Sequence, residues 1–198
     1  MAEQENNTNR RRARRPQPVD NTYGHLQPQA LEVEKAVLGA LMIDKDAYAV
    51  VCETLRPESF YEPRNQMVYQ AIMELSIAER PVDILTVTEQ LAKDGHLEEV
   101  GGPGYVTELS SRGASSANIE YHANIVAQKS LSRQLIQYAS MIETKAFDET
   151  IDVDELMQEA EGSLFELSQR NMKKDYTAID PVIAQAVKTI QNAAKNTD

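Results

Sequence analysis

Apolar side chains recur every three or four residues from Pro28 to Ala194. Nowhere do they alternate with polar ones at the period of two that a half-buried strand requires. The pattern predicts an all-α protein. Its longest regular run, residues 116–170, reads as two antiparallel helices. Leu131, Leu135, Tyr138 and Ile142 fall four, three and four apart, drawing one apolar stripe down the first arm. Asp148 to Ile151 interrupts the stripe. Asp152, with Glu155 three residues on, then has the form of a capping box opening the second arm. Val153, Leu156, Ala160, Leu164 and Leu167 repeat the stripe there. Two such stripes can zip together, but a two-helix hairpin buries only one face of each arm and needs a further neighbour.

Residues 25–115 carry shorter helical patterns, as a globular subdomain would. Leu31, Val33, Val37, Leu38 and Leu41 make the first stripe; Ala36, Gly39 and Ala40 lie among them and leave room for another helix to come close. Asp44 to Asp46 marks a turn, and Ala47, Val50, Val51 and Leu55 predict a second helix that Pro57 ends. Phe60 and Tyr61 fall at a corner as aromatic plugs. Asn65, Val68, Ile72 and Leu75 predict a third helix entered at Pro63. Ile84, Val87 and Leu91 predict a short helix capped by Asp83, or by Thr86 with Glu89, and Gly95 is a natural left-handed stop. Gly101 to Gly104 is too glycine-rich for a helix, so only a short helical turn is expected at Tyr105, Val106 and Leu109. Arg112 to Ser115 reads as the loop into the hairpin.

Charge sets two extensions apart. Residues 1–24 have almost no apolar content, two prolines and the arginine cluster Arg10–Arg15, the composition of a disordered, solvated tail. Weak contact with nucleic acid or another acidic surface is the alternative. The first fifteen residues hold five arginines and two glutamates; the rest of the chain holds 15 basic and 29 acidic side chains. Such a body repels phosphate backbones and suits basic protein partners. At the other end, residues 171–198 begin with a polar joint to Thr177. Asp180-Pro181 then opens a last helix whose stripe of Ile183, Val187, Ile190 and Ala194 nothing else in the chain is left to cover. The sequence stops at Asp198 with no tail-like ending, as a piece of a longer protein would.

The search for chemistry excludes more than it finds. No apolar run reaches eighteen residues and the polar N-terminus lacks the apolar centre of a secretory signal, so neither membrane nor export is expected. The single cysteine, Cys52, excludes an internal disulfide and suits a reducing cytoplasm, reading as a core thiol rather than a nucleophile. None of the eight glycines opens a phosphate loop. His25, His96 and His122 have no ligand at metal-binding spacing, and Gly113-Ala-Ser-Ser-Ala fails as a nucleophile elbow. Glu98-Glu99 and Asp152, Asp154 and Glu155 are explained as solvated faces and caps rather than as paired catalytic carboxylates. By elimination the chain is a binding or assembly module, with no catalytic, cofactor or metal site of its own.

The stretch from Pro28 to Leu41, PQALEVEKAVLGAL, resembles the opening of the bacterial replicative DNA helicases of the DnaB family. Later landmarks follow the family's order: Phe60-Tyr61, Pro81-Val82-Asp83 with Thr86, Gly95 and Leu97, and Gly101-Gly102 with Tyr105. Asn118-Ile119 with Tyr121, Ile125-Val126, Arg133 with Leu135-Ile136, and Ala160-Glu161 continue it. The resemblance covers residues 26–195. Asn65 departs from it, standing where many relatives carry histidine, which points to a packing role at that position; the arginine tail is no general family feature. The family's RecA-like ATPase domain lies outside these residues.

The resemblance implies an N-terminal domain and linker helix of a bacterial, cytoplasmic helicase. Its parent unwinds DNA 5′ to 3′ with ATP and Mg2+, and touches DNA through the ATPase domain. N-terminal domains of the family pair through their hairpins into homodimers, and three dimers form the collar of a homohexamer. The collar receives the primase C-terminal domain; a helicase loader is a further partner. Candidate self-association residues are then Leu131, Leu135, Tyr138, Ile142, Leu156, Leu164 and Leu167, with packing inside the hairpin as the alternative role. Glu32, Tyr105, Ile136 and Ile142 are candidates for primase contact, with burial as their alternative, and Ile183, Val187 and Ile190 for docking the linker helix. The competing reading is a free-standing helical adaptor never fused to a motor.

Overall fold

A computed structural model of the chain describes residues 25–112 and 118–172. The arginine tail and the expected linker helix with Ile183, Val187 and Ile190 lie outside the described residues. Among the described residues eight α-helices follow one another: α1 (Leu31–Ile43), α2 (Ala47–Val51), α3 (Pro63–Ile77), α4 (Ile84–Lys93), α5 (Leu97–Val100), α6 (Gly102–Arg112), α7 (Ile119–Ala146) and α8 (Val153–Met172). A 3-10 turn, Pro57–Ser59, stands before α3. No strand occurs among the described residues, and the protein is all-α.

The first helix is the axis. Six consecutive residues, Val37 to Met42, are buried, so α1 is covered all round over that stretch rather than along one stripe. It packs against α3, α6 and α7, and Gly39 and Ala40 let those neighbours approach closely. Val68, Tyr69, Ile72 and Leu75 of α3, Val87 and Leu91 of α4, and Val106 and Leu109 of α6 complete most of the core. The N-terminal half of α7 closes it with Ile119, Ala123 and Val126. At 28 residues α7 is about 42 Å long. Its second half leaves the body to pair with α8, where no described side chain is fully buried.

Local chemistry accounts for most boundaries. Asp83 caps α4, its Oδ1 accepting from the backbone N–H of Leu85 and Thr86 at 2.8 and 2.9 Å. Thr86 Oγ1 in turn accepts from the N–H of Asp83 at 2.9 Å. Asp152 caps α8 in the same manner, accepting from the N–H of Asp154 and Glu155 at 2.9 and 3.2 Å. The glycine-rich segment behaves differently from expectation. Gly101 and Gly102, at φ 110° and 72°, make the left-handed joint that ends α5. With the joint so made, α6 begins at once and runs eleven residues, not one turn; Pro103 falls in its first turn, where a missing N–H costs nothing. Val50 on the short α2 and Val153 at the start of α8, placed on apolar stripes by their spacing, are exposed. Cys52 is half-exposed, not a core thiol.

The end of α3 carries strain. Glu79 has φ 54°, and the N–H of Arg80 and of Glu79 bond to the carbonyls of Leu75 and Ser76 at 2.9 and 3.1 Å. This is a Schellman stop with glutamate where glycine is favoured. Glu79→Gly relieves the left-handed penalty of roughly 1–2 kcal/mol, less the backbone entropy of glycine. The variant should therefore be more stable by about 0.5–1 kcal/mol in urea unfolding.

Candidate protein-docking interface

A buried carboxylate joins the elements that bear the candidate docking residues. Glu34 of α1 is 1% exposed. Its Oε1 accepts from the N–H of Tyr61 at 2.7 Å, and its Oε2 accepts from Asn65 Nδ2 at 2.9 Å and from the N–H of Glu62 at 3.4 Å. Tyr61 and Glu62 immediately precede α3, and Glu62, at its N-cap position, makes no side-chain cap of its own. Glu34 thus provides from a different helix both the acceptor and the negative charge that a helix N-terminus favours. Asn65 passes the connection on: its Oδ1 accepts the Tyr105 hydroxyl at 2.6 Å, tying α6 to α3 and α1. Arg133 of α7 adds the fourth element by donating to the carbonyls of Pro28 and Ser59, each at 2.8 Å. Its guanidinium lies 5.5 Å from the centre of the Tyr61 ring.

The environment shifts two of these groups. Burial pushes the Tyr105 hydroxyl up to about 12, an effect that the nearby Arg64 guanidinium opposes. Arg64 stacks over the Tyr105 ring at 4.2 Å. Its Nε comes within 3.3 Å of Glu62 Oε1 but off the line of a hydrogen bond, so that contact is an ion pair. Desolvation lowers the pKa of Arg133, while Glu34 acts to raise it.

The four candidates for primase contact fall in two places. Tyr105 is 5% exposed with its hydroxyl engaged by Asn65. Its side chain takes the buried alternative: it belongs to the interior, and Arg64 stacks over its ring. Glu32, in the first turn of α1, is exposed. It pairs with Arg112 of α6 and lies 3.7 Å from Lys35, while Glu108 takes Arg112 at 3.2 Å and Lys35 at 3.5 Å. Glu32 therefore ties α1 to the C-terminal end of α6 through Arg112, while Tyr105, near the start of α6, faces Asn65 and Arg64 of α3. Ile136 and Ile142, both half-buried, sit on the half of α7 that leaves the body.

The seven self-association candidates divide as well. Leu131, Tyr138, Ile142, Leu156 and Leu167 are half-buried, and the Tyr138 hydroxyl donates to the carbonyl of Ala160 at 2.9 Å, inside the hairpin. Lys145 and Glu159 pair across the arms. Leu135 and Leu164 are 42% and 47% exposed. Sequence reasoning missed their companions Met157 and Phe165, also exposed. The signal was there: Met157, Leu164 and Phe165 stand seven and eight apart, a second helical face beside the stripe. No cluster of three metal-ligating side chains occurs among the described residues, and no described helix is long and apolar enough to cross a membrane.

Comparison with known proteins sets these surfaces in context. The family model described as the DnaB-like helicase N terminal domain matches residues 26–128. The replicative DNA helicase DnaB of Rhodothermus marinus is 40% identical over 168 residues, 85% of this chain and 18% of that protein. The replicative DNA helicase DnaC of Bacillus subtilis is 38% identical over 173 residues, 87% of this chain and 38% of that protein. The chain thus spans under two fifths of the length of these curated relatives. Among solved structures, the N-terminal domain of DnaB helicase from Mycobacterium tuberculosis superposes with a TM-score of 0.68 at 37% identity, covering 71% of this chain and 99% of that one. A DnaB-like replicative helicase, solved in a study of its interactions with primase, superposes with a TM-score of 0.59 at 25% identity, covering 71% of this chain and 31% of that one.

Glu34→Ala leaves the Tyr61 N–H and the Asn65 amide without an acceptor and should cost about 3 kcal/mol in denaturant unfolding, at roughly 1–3 kcal/mol for each unsatisfied buried donor. The Tyr105 hydroxyl adds a pH dependence. Its folded pKa lies above the ordinary 10, so its stabilising effect is complete below pH 10 and is lost as pH rises from 10 to about 12. Tyr105→Phe should be less stable than the parent at neutral pH and should shrink the loss between pH 10 and 12; an unchanged alkaline limb would assign that loss to other groups.

Proposed function

The chain belongs to the DnaB-like helicase N-terminal domain family, and on that premise we propose that it is the assembly and docking part of a replicative DNA helicase. It works by protein contact. ATP, Mg2+ and DNA are handled by an ATPase domain outside these residues, where strand unwinding from 5′ to 3′ takes place, and a loader protein is a further partner of the whole. The observation that carries the reading is the helical hairpin of α7 and α8, which leaves the body and keeps Leu135, Met157, Leu164 and Phe165 in water. An isolated hairpin of this form is marginal until a second surface covers it. A second copy of the chain covers it in this reading, giving a homodimer and, in the parent, a homohexameric collar.

The primase C-terminal domain is the second partner. The structural match to a DnaB-like helicase studied with primase supports this, as does the acidic balance of residues 16–198. Glu32, held on the surface by Arg112 and Lys35, is the contact on the body; Ile136 and Ile142 are contacts on the hairpin. Ile183, Val187 and Ile190 dock the linker helix on the neighbouring ATPase domain.

Calorimetric titration with the cognate primase C-terminal domain tests the docking claim. The chain should bind saturably, and Glu32→Lys should weaken binding by about five- to tenfold, the order of a rim charge reversal. No heat of binding with the parent chain would refute the primase reading. The hairpin faces separate by a second pair of variants. Leu164→Ala should weaken self-association with little change in the melting of the monomer. Leu156→Ala should lower the melting temperature, as a half-buried leucine does, by up to about 2–3 kcal/mol in stability.

A further inference from the structure

One groove on the body is not used by the docking reading. Pro57, Met67 and Leu91 give it apolar walls, Gln66 and Gln70 line one side, and Glu74, Asp94 and His96 stand around it. Its volume of about 230 Å³ is below the roughly 300–1,000 Å³ of small-molecule sites, which suits side chains of a peptide better than a cofactor. The two carboxylates meet at one neutral amide. Gln90 Nε2 donates to Glu74 Oε2 at 2.9 Å and to Asp94 Oδ2 at 3.0 Å, which places the acceptors within about 6 Å of each other. Among the described residues neither carboxylate has a lysine or arginine partner at ion-pair distance. Two like charges so close, with only an amide between them, favour a cation between or above them.

The same chain carries that cation. Arg10, Arg11, Arg12, Arg14 and Arg15 form its one strongly basic segment. The described chain begins at His25, three residues before Pro28. The Arg133 guanidinium bonds to the carbonyls of both Pro28 and Ser59, and Ser59 is two residues from Pro57 in the groove wall. The start of the described chain is thus tied to the segment that leads from the Pro57 end of the groove into α3. Ten residues from Arg15 to His25 reach up to about 34 Å when extended, and the groove wall along α3 from Gln66 to Glu74 is about 12 Å long. A tether of that length sets an effective concentration in the millimolar range, so a contact too weak to matter between molecules is well populated within one.

We propose that the Arg10–Arg15 segment docks in cis on the Glu74–Asp94 groove, its guanidinium groups pairing with the two carboxylates that Gln90 holds together and its stems lying on Pro57 and Met67. Arginine fits because its planar, weakly hydrated fork meets carboxylates in pairs and packs its stem on apolar surface. Docking covers an acidic groove that would otherwise attract basic partners, and it draws the arginines away from phosphate backbones.

The Gln90 side-chain amide lies between the two carboxylates and reports directly. Amide nitrogen–proton NMR spectra of the full chain are compared with those of a chain carrying R10Q, R11Q, R12Q, R14Q and R15Q. The side-chain amides of Gln90 and Gln70 and the backbone amides of Asp94 and His96 should differ between the two. Adding 0.5 M NaCl should move the parent spectrum onto that of the variant, since exposed pairs are screened over about 3–5 Å at such salt. In a Glu74→Gln, Asp94→Asn background, neutralising the arginines should change nothing at these positions. Identical spectra for the parent and the arginine variant would overturn the proposal. So would differences that persist in the Glu74→Gln, Asp94→Asn chain, or that fade on dilution, which would mark docking on a second copy. The arginine substitutions touch none of the described residues, so the comparison of the parent with the arginine variant stands even if the double groove variant folds poorly.

Discussion

A buried carboxylate in the first turn of α1 sets the geometry of the body. Glu34 has almost no access to water, so its charge must be matched by fixed donors. Those donors come from the segment that launches α3, from Asn65 within α3, and through Asn65 from Tyr105 of α6. One side chain therefore decides where α3 starts and how α6 lies across it. Packing alone would allow helices with such similar apolar stripes to slide by a turn; donors at 2.6–2.9 Å do not. Arg133 adds α7 to the same cluster and so fixes where the hairpin leaves the body.

The hairpin is the opposite kind of structure. Half of α7 is core and half is carried outward with α8, which has no fully buried side chain among those described. Its inner contacts, Tyr138 to the Ala160 carbonyl and Lys145 to Glu159, hold the two arms in register. They do not hide Leu135, Met157, Leu164 or Phe165. A rigid body with a polar centre and an extension with unpaired apolar faces is the division of labour expected of an assembly domain: one part stays the same while the other recognises.

Much of this was legible in the sequence. The periodic stripes placed α1, α3, α4, α7 and α8, and the caps at Asp83 and Asp152 marked two starts, because side-chain period and capping are local chemistry. The glycine-rich stretch misled because composition says that a helix is disfavoured within it, not that the left-handed joint at Gly101 and Gly102 frees a helix to begin one residue later. The polar cluster was illegible for a different reason. Glu34 sits among helix-surface residues in the sequence, and its partners lie 27 to 31 positions away; nothing local distinguishes it from Glu32, which is exposed. Contact and burial stay open for Tyr105 in the sequence for the same reason, since only the fold supplies Asn65 and Arg64 on either side of it. The value of Asn65 as a packing residue was read from its departure from the histidine of related chains, and its two buried hydrogen bonds give that role a physical form.

Light scattering on a sizing column, across a range of concentrations, tests the central claim that this is an assembly domain. One chain weighs 22.2 kDa. The account predicts a mass of at least twice that value, falling towards the single-chain mass on dilution. A mass of 22.2 kDa at every concentration would contradict it, leaving the exposed hairpin face without the second copy that the account assigns to it.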